Sequence, residues 1–234
     1  MNRMTHTLGF FGLSAALIAG CSTTSSDNVK TSGFYVTYSV TQEGTAKPTA
    51  VANLQVGGAT GTYIDLSESD SVSVDGTKLE RQKTIINSIY YSASVEEKPT
   101  YTFVLARAEE SSTTKVVSHP VPFALQETEK LSGAYTGNVT LNWSGSGTAG
   151  TMVISVEPQP AASGCTSRTV ETGLPDNGTH TLSLDKLVPS DKTMPVCTYK
   201  LTLARETSSK IGSPFEGGFL VSRHTESVLL DVHP

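Results

Sequence analysis

Apolar and polar residues alternate with a period of two along most of this chain. From Gly33 onward, short runs of β-branched and aromatic residues are bounded by Gly, Pro, Asn and Asp, which is typical of strands joined by turns. The pattern predicts strands near 34–41, 50–56, 70–74, 85–95, 100–107, 116–125, 135–143, 151–157, 167–171, 180–184, 197–206, 217–223 and 226–232. Residues 78–83 could form a short helical turn instead. We therefore expect an all-β fold.

The first twenty residues break this pattern. Arg3 is their only charged side chain besides histidine, and an apolar run follows from Leu8 to Leu17, interrupted by two glycines and one serine. A run of about ten residues is too short to span a bilayer stably and is typical of a secretory signal. Residues 1–20 are therefore predicted to be a signal peptide.

The signal ends in Leu17-Ile18-Ala19-Gly20-Cys21, which resembles the bacterial lipoprotein signal. The resemblance implies that Cys21 is acylated and becomes the first residue of the mature chain. Ser22, rather than aspartate, implies sorting to the outer membrane, facing either the periplasm or the cell surface. More than one acyl chain would make this attachment stable. The alternative is an ordinary export signal with a chance cysteine, or a buried helix.

The segment after Cys21 has few apolar side chains that it could bury. Ser22 to Ser32 contains one aliphatic residue and no periodicity, so burial cannot offset the entropy of ordering it. Residues 21–32 are predicted to be the acylated cysteine and a flexible tether.

An internal repeat organises the remainder. Thr100–Arg107 and Thr198–Arg205 share five of eight residues, and a Pro-Phe pair follows each copy, at 122–123 and 214–215. Alternation places Tyr101 and Leu105, and their counterparts Tyr199 and Leu203, on one strand face each. We predict two β-sandwich modules, 33–126 and 131–234, that fold separately and bury these four side chains. Chance similarity of two amphipathic strands is the alternative.

The repeat, the sequence Leu141-Asn142-Trp143, the turn at 175–178 and the cysteine pair together resemble uncharacterised proteobacterial lipoproteins built from immunoglobulin-like modules. The resemblance implies two tandem immunoglobulin-like β-sandwiches without an assigned activity. Trp143 precedes both cysteines, and no tyrosine stands two residues before Cys197, unlike in antibody domains. The strand topology therefore stays open.

Cys165 and Cys197 are the two thiols left once Cys21 is acylated. Export beyond the cytoplasm places them in an oxidising compartment, so we predict a disulfide that staples the second module only. A redox pair or metal site would need closer spacing or nearby histidines.

Motifs that could carry catalysis are fragmentary. Ser112–Lys115 fits Ser-x-x-Lys and Ser26–Asn28 fits Ser-Asp-Asn, as in penicillin-binding enzymes, but their order is reversed and Lys-Thr-Gly is missing. The glycines of 144–147 fit a hairpin turn better than a nucleophile site. We predict no catalytic residue, no cofactor and no metal site.

The remaining polar residues are interpreted as structural. The histidines after the signal are predicted to be solvated or strand-surface residues: His119, His180, His224 and His233. Acidic residues at 68, 70 and 75 suit turns and edge strands better than a Ca²⁺ site. Arg107 and Arg205 end the matched strands, where a role at the hairpin base is favoured over ligand binding.

Charge limits the partners. Loss of residues 1–20 removes Arg3 and changes the net charge from −5 to −6, which disfavours nucleic acid. The main hypothesis is a lipid-anchored, non-enzymatic envelope protein that binds an unknown envelope protein or glycan. A cell-wall or glycan hydrolase whose two carboxylates converge only in three dimensions is the alternative. A lipoprotein subunit of a secretion or envelope complex is the second alternative.

Overall fold

The computed structural model describes residues 23–85, 87–108, 110, 112–126, 134–135, 137–144, 150–159, 165, 169–184, 187 and 197–232. The predicted signal peptide and Cys21 lie outside these residues, so both stay predictions.

Strands are the main regular element of the described residues. Its strands are β1 Thr23–Ser25, β2 Phe34–Glu43, β3 Thr49–Val56, β4 Thr62–Asp65, β5 Ser71–Val74, β6 Thr77–Lys78, β7 Glu80–Lys83, β8 Ile89–Ser94, β9 Thr100–Ala106, β10 Thr113–Ser118, β11 Leu125–Gln126, β12 Ala134–Tyr135, β13 Asn138–Trp143, β14 Thr151–Pro158, β15 Thr169–Leu174, β16 Thr179–Ser183, β17 Cys197–Lys210 and β18 Gly217–Val232. Two 3-10 helices, Ser26–Asn28 and Thr31–Gly33, precede β2. The prediction of an all-β fold is confirmed.

One sheet of eleven strands extends through both halves of the sequence. Its order is β1-β4-β3-β2-β18-β17-β14-β15. In addition, β8 pairs with β3, β7 pairs with β8, and β12 pairs with the end of β18. The halves are joined by the parallel pairing of β18 with β2. Gly218 permits this pairing, since a Cβ there would lie 1.8 Å from the carbonyl oxygen of Val36. A residue with a side chain at this position would therefore push the two strands apart.

Two smaller sheets cover the inner face of this central sheet, which gives sandwich-type packing. The sheet β10-β9-β5-β6 covers the first half and the sheet β11-β13-β16 covers the second. The Tyr38 ring of β2 stacks on Phe103 of β9 with centroids 4.6 Å apart. Two separate hydrophobic cores result. The predicted burial of Tyr101, Leu105, Tyr199 and Leu203 is confirmed, as all four are 0% exposed.

The two cores exchange residues across the sequence halves. Phe123 is buried in the second core, with Leu125 packed against it, although both belong to the predicted first module. Phe215 and Leu220 are buried in the first core, although both belong to the predicted second module. The ranges 33–126 and 131–234 stay a prediction as folding units, but neither range builds its core alone.

Three strand expectations need correction. The predicted strand 116–125 ends at Ser118, and residues 119–124 are not strand, because prolines at 120 and 122 lack the N–H that a strand pairing needs. Residues 80–83 form strand β7 against β8 rather than a helical turn. The predicted strands 217–223 and 226–232 are one strand, β18, because its pairing with β17 continues without interruption from Phe219 to Val232. Turn chemistry was predicted correctly at 75–76, where Asp75 and Gly76 both have positive φ.

The expected flexible tether also needs correction for residues 23–32. Strand β1 pairs in parallel with β4, and Ser26 and Thr31 are buried. The Ser26 hydroxyl accepts a hydrogen bond from the Ser67 amide at 2.9 Å. Backbone pairing and polar contacts order this segment, which a hydrophobicity argument does not detect.

The second core contains the predicted disulfide. Cys165 and Cys197 are bonded, with Cα atoms 5.8 Å apart, and Cys197 begins strand β17. The bond links β17 to the chain between β14 and β15.

Candidate functional site at the junction of the two cores

A segment of seven residues, 118–124, crosses from the first core to the second and is called the strap here. The Thr207 hydroxyl donates to the carbonyl of Ser118 at 2.5 Å, and the Arg205 guanidinium donates to the carbonyl of Val121 at 2.7 Å. Prolines at 120 and 122 restrict the backbone between these contacts. Side chains of β17 therefore fix the strap at two points.

Polar side chains replace apolar ones where the strap crosses strand β18. Leu220 lies in the first core and Leu230 in the second, and alternate residues of a strand share a face. Ser222 and His224 therefore lie on the inner face between the two cores, and Gln42 pairs with His224 in register from β2. All three residues are buried. They form the floor of the junction.

His119 of the strap binds this floor through both ring nitrogens. The Gln42 amide nitrogen donates to Glu97 at 2.8 Å, so the Gln42 amide oxygen faces His119 Nε2 at 3.0 Å as an acceptor. The Ser222 hydroxyl lies 2.7 Å from His119 Nδ1 and donates to it when the imidazole is neutral. Burial, aided by the nearby His224, lowers the pKa of His119 from 6.5 to about 4.

His224 lies beside this network. Its Nε2 donates to the carbonyl of Gly44 at 3.1 Å, and its ring packs edge-on against Phe123 with centroids 5.3 Å apart. Burial lowers the pKa of His224, and the charge of Arg205, which is opposite it on β17, acts in the same direction. Both histidines of the junction are therefore neutral at neutral pH.

The contact between Ser222 and His119 resembles a nucleophile and its base, but it is not placed for catalysis. Ser222 is 0% exposed, so a substrate cannot reach its hydroxyl. A general base works best with a pKa near the working pH, whereas the pKa of His119 is about 4. The pair holds the strap on the sheet instead.

The third component of the junction is a buried ion pair. Arg205 is 0% exposed, and its Nε lies 2.7 Å from the Asp176 carboxylate. The same carboxylate accepts from the Trp143 indole nitrogen at 2.8 Å, and the guanidinium lies over the Phe123 ring, 5.0 Å from its centroid. These contacts join β17, the strap and the small sheet of the second core.

A cavity of about 520 Å³ opens beside the strap. It is lined by Glu97, Lys98, Pro99, His119, Pro120, Val121 and Pro122. Val121 is 63% exposed. Pyrrolidine rings and one valine thus supply an apolar wall, and a carboxylate and an ammonium group supply charge. Such a mixture suits recognition of another molecule.

The repeat places a matching ion pair at the far end of the first core. Arg107 Nε lies 2.7 Å from Asp70, and its terminal nitrogens donate to the carbonyls of Ser26 and Val29 at 2.8 and 3.1 Å. The guanidinium lies 4.8 Å from the centroid of Phe34. The predicted structural roles of Arg107 and Arg205 agree with these contacts.

A second cavity, of about 590 Å³, lies at this end and contains carboxylates. Asp27, Asp70 and Glu110 line it. Asp70 is held by Arg107, and hydrogen bonds from Thr31 lower the pKa of Glu110. A glycosidase acid needs a raised pKa. The pKa of Glu110 is therefore shifted in the wrong direction for a general acid.

The predictions for the histidines were partly wrong. His224 is buried and His119 is half-buried, because both complete the junction. His180 is partly exposed and pairs with Glu171 at 2.8 Å, and His233 lies outside the described residues. A buried position could have been inferred for His224 alone, since it shares the alternation of Leu220 and Leu230.

The Ser-Asp-Asn and Ser-x-x-Lys motifs take part in structural contacts. Ser26 begins the first 3-10 helix, and the Lys115 ammonium donates to the carbonyl of Ser213 at 3.0 Å. Within the described ranges, no group of three or more His, Cys, Asp or Glu residues could hold a metal ion. In the same part of the chain, no helix has the length and apolar character needed to cross a bilayer.

Comparison with known proteins identifies no family. No family model and no curated protein matches the chain. The central fibronectin-III array of RIM-binding protein is 12% identical, covering 81% of this chain and 69% of that one, with a TM-score of 0.21. The FN1–FN3 domains of chicken CNTN1 are 11% identical over 86% of this chain and 69% of that one, with a TM-score of 0.24.

A third similar structure is the BSP domain of a biofilm associated protein. It is 12% identical, with a TM-score of 0.24, and covers 85% of this chain but 29% of that one. TM-scores this low carry no argument about function.

Proposed function

We propose that the protein is a lipid-anchored bacterial envelope protein that binds another envelope component, a protein or a glycan, without catalysing a reaction. Acyl chains on Cys21 hold it in the outer membrane. The cavity beside the strap is the contact site for the partner.

One observation carries this proposal: the reactive side chains at the junction are engaged in structural contacts. Ser222 and Gln42 contact the ring of His119, and Arg205 donates to the carbonyl of Val121. Their contacts fix the two cores to each other, as expected of a scaffold that presents a surface. The exposed Val121 and the surrounding prolines then provide apolar contact area, and Glu97 provides a charged acceptor.

The hydrolase alternative requires a protonated carboxyl group in a cleft. Glu110 in the larger cavity has a lowered pKa and Asp70 is held by an arginine, which favours binding over acid catalysis.

Capture and turnover can be measured on the same sample. The lipidated protein is incubated with envelope extract, cell-wall fragments and glycans, and both bound material and products are analysed. We expect saturable capture without product, which Val121→Ser weakens. Val116→Ser is the matched control, because Val116 is similarly exposed, at 58%, but does not line the cavity. Product formation that is lost in Glu110→Gln would contradict the proposal.

Membrane attachment has its own test. Cys21→Ala should abolish acyl labelling and release the protein from the outer membrane fraction. Unchanged labelling would show that Cys21 is not the acylated residue.

A further inference from the structure

The first residue that the structure describes lies very close in sequence to the proposed lipid anchor. Strand β1 starts at Thr23, two residues after Cys21, and pairs with β4 from its first residue. Two residues of extended chain span at most about 7 Å. If Cys21 is acylated, the folded body has almost no free tether.

Residues 23–33 are fixed to the first core, so they cannot serve as a tether themselves. The Arg107 guanidinium binds the carbonyls of Ser26 and Val29, and the Thr31 amide donates to Glu110 at 3.0 Å. Arg107 in turn is held by the buried Asp70. Pulling this segment away would leave a buried ion pair without its hydrogen-bond partners.

The strand registers show which end of the molecule carries Thr23. Thr23 pairs with Tyr63, Tyr63 with Gln55, Gln55 with Tyr35, and Tyr35 with Gly217. These residues therefore lie at one level of the central sheet. The loops 57–61 and 211–216 are at this same end, whereas Gln42 and the junction are at the other end of β2. The second core lies beyond the junction.

We propose that this end of the first core rests on the lipid bilayer and that the second core projects away from it. The occupant of the surface is the headgroup layer of the membrane in which Cys21 is anchored, so the inference rests on the proposed acylation. Strand β18 has sixteen residues at ~3.3 Å each, which separates the two ends by about 50 Å.

The chemistry of the loops at this end fits contact with headgroups. The first loop reads Gly57-Gly58-Ala59-Thr60-Gly61, and the tip of the second reads Gly212-Ser213-Pro214. None of these residues is charged, so little charge must be desolvated where these loops touch the headgroups. The carboxylates of Asp27 and Glu110 lie at the same end, around the cavity beside Arg107. The orientation therefore rests on the short connection to Cys21 and on the strand registers rather than on the charge of this end.

Energy transfer to the membrane tests this orientation. The full-length lipidated protein is placed in vesicles of phosphatidylethanolamine and phosphatidylglycerol that contain a rhodamine-labelled lipid. A donor dye is attached through a genetically encoded azido residue at Thr60 or at Asn138, which leaves the disulfide undisturbed. Both positions are exposed, and Asn138 begins β13 at the far end of the second core.

We expect several-fold higher transfer from position 60 than from position 138. A flexible Gly-Ser insertion of about fifteen residues between Ser22 and Thr23 should reduce this difference, because it lengthens the tether. Equal transfer from both positions, or transfer that the insertion leaves unchanged, would overturn the orientation while leaving the anchor intact.

Flotation of the vesicles is measured first and separates the two hypotheses. Protein that does not float with the vesicles shows that the proposed anchor is wrong, and the orientation is overturned with it. Protein that floats tests the orientation alone. The same labelled protein with Cys21→Ala is the control for transfer that does not depend on the anchor.

Discussion

The two arginines that end the repeated strands make the same contacts with different consequences. Arg107 and Arg205 each pair with a buried aspartate and lie over a phenylalanine ring. Arg107 holds residues 26–31, which lead into β2 of its own core. Arg205 holds the strap, which leads from one core into the other. The same arrangement thus fixes the segment before β2 in the first half. In the second half it joins the two cores through the strap.

The match between the two arginines also explains why each core contains a phenylalanine from the other half of the sequence. Phe34 and Phe123 occupy matching positions beneath the two arginines, so the strap corresponds to the N-terminal segment of the first half. Phe123 of the strap therefore packs in the second core, although it precedes the predicted boundary. The loop between β17 and β18 places Phe215 in the first core. Each core depends on a segment from the neighbouring part of the sequence.

The largest effect is expected from Arg205→Met. Loss of the guanidinium removes the positive charge that pairs with Asp176, whose side chain is 3% exposed, which should cost about 3–5 kcal/mol. Urea unfolding of the chain without residues 1–21 measures this loss. Arg223→Met is the control in the same hairpin, because its ion pair with Glu206 is partly exposed and should change stability by less than about 1 kcal/mol. Equal effects of the two changes would contradict the role assigned to Arg205.

The disulfide distinguishes the two cores next. Reduction opens a loop with a sequence separation of 32 residues in the second core and should cost about 3–4 kcal/mol. The double variant Cys165→Ala/Cys197→Ala should unfold at lower urea and lose its sensitivity to reductant. A wild-type midpoint that reductant leaves unchanged would show that the bond contributes little.

A smaller effect is expected from Arg107→Met, about 2–3 kcal/mol, because the Arg107 side chain is 7% exposed where that of Arg205 is 0% exposed, and because Asp70 lines an open cavity. The variant should also lose hydrogen-exchange protection over residues 23–33. Since Arg205→Met should leave this segment protected, the pair of variants separates the two roles. Unchanged hydrogen-exchange protection of residues 23–33 in Arg107→Met would contradict the role assigned to Arg107.

The smallest effect concerns pH. Because the pKa of His119 is lowered from 6.5 to about 4 in the folded protein, the unfolded chain binds more protons between these values. Stability contributed by His119 is complete above about pH 6.5 and is lost as the pH falls toward 4. Since the ring is half-exposed, the expected loss is about 1 kcal/mol. His119→Gln should flatten this part of the stability profile, and an identical profile in the variant would exclude His119 as the cause.

The parts of the fold that could be predicted are those with a local signal. Alternation shows the faces of β2, β9 and β17, and the repeated Tyr and Leu positions identify the core. The junction has no such signal, since His119 reaches Gln42 and Ser222 across 77 and 103 residues. The docking of residues 23–32 was missed for the same reason, because it depends on Arg107 rather than on apolar residues of the segment.

The central claim is that the two cores form one cooperative unit through their exchanged segments. The chain has one tryptophan, Trp143, which is buried in the second core, whereas Phe215 is buried in the first. Urea unfolding of Phe215→Ala is therefore followed by Trp143 fluorescence and by circular dichroism. We expect both signals to shift together to lower urea, by about 3–5 kcal/mol. An unchanged Trp143 transition beside an earlier, separate loss of circular dichroism would contradict the claim.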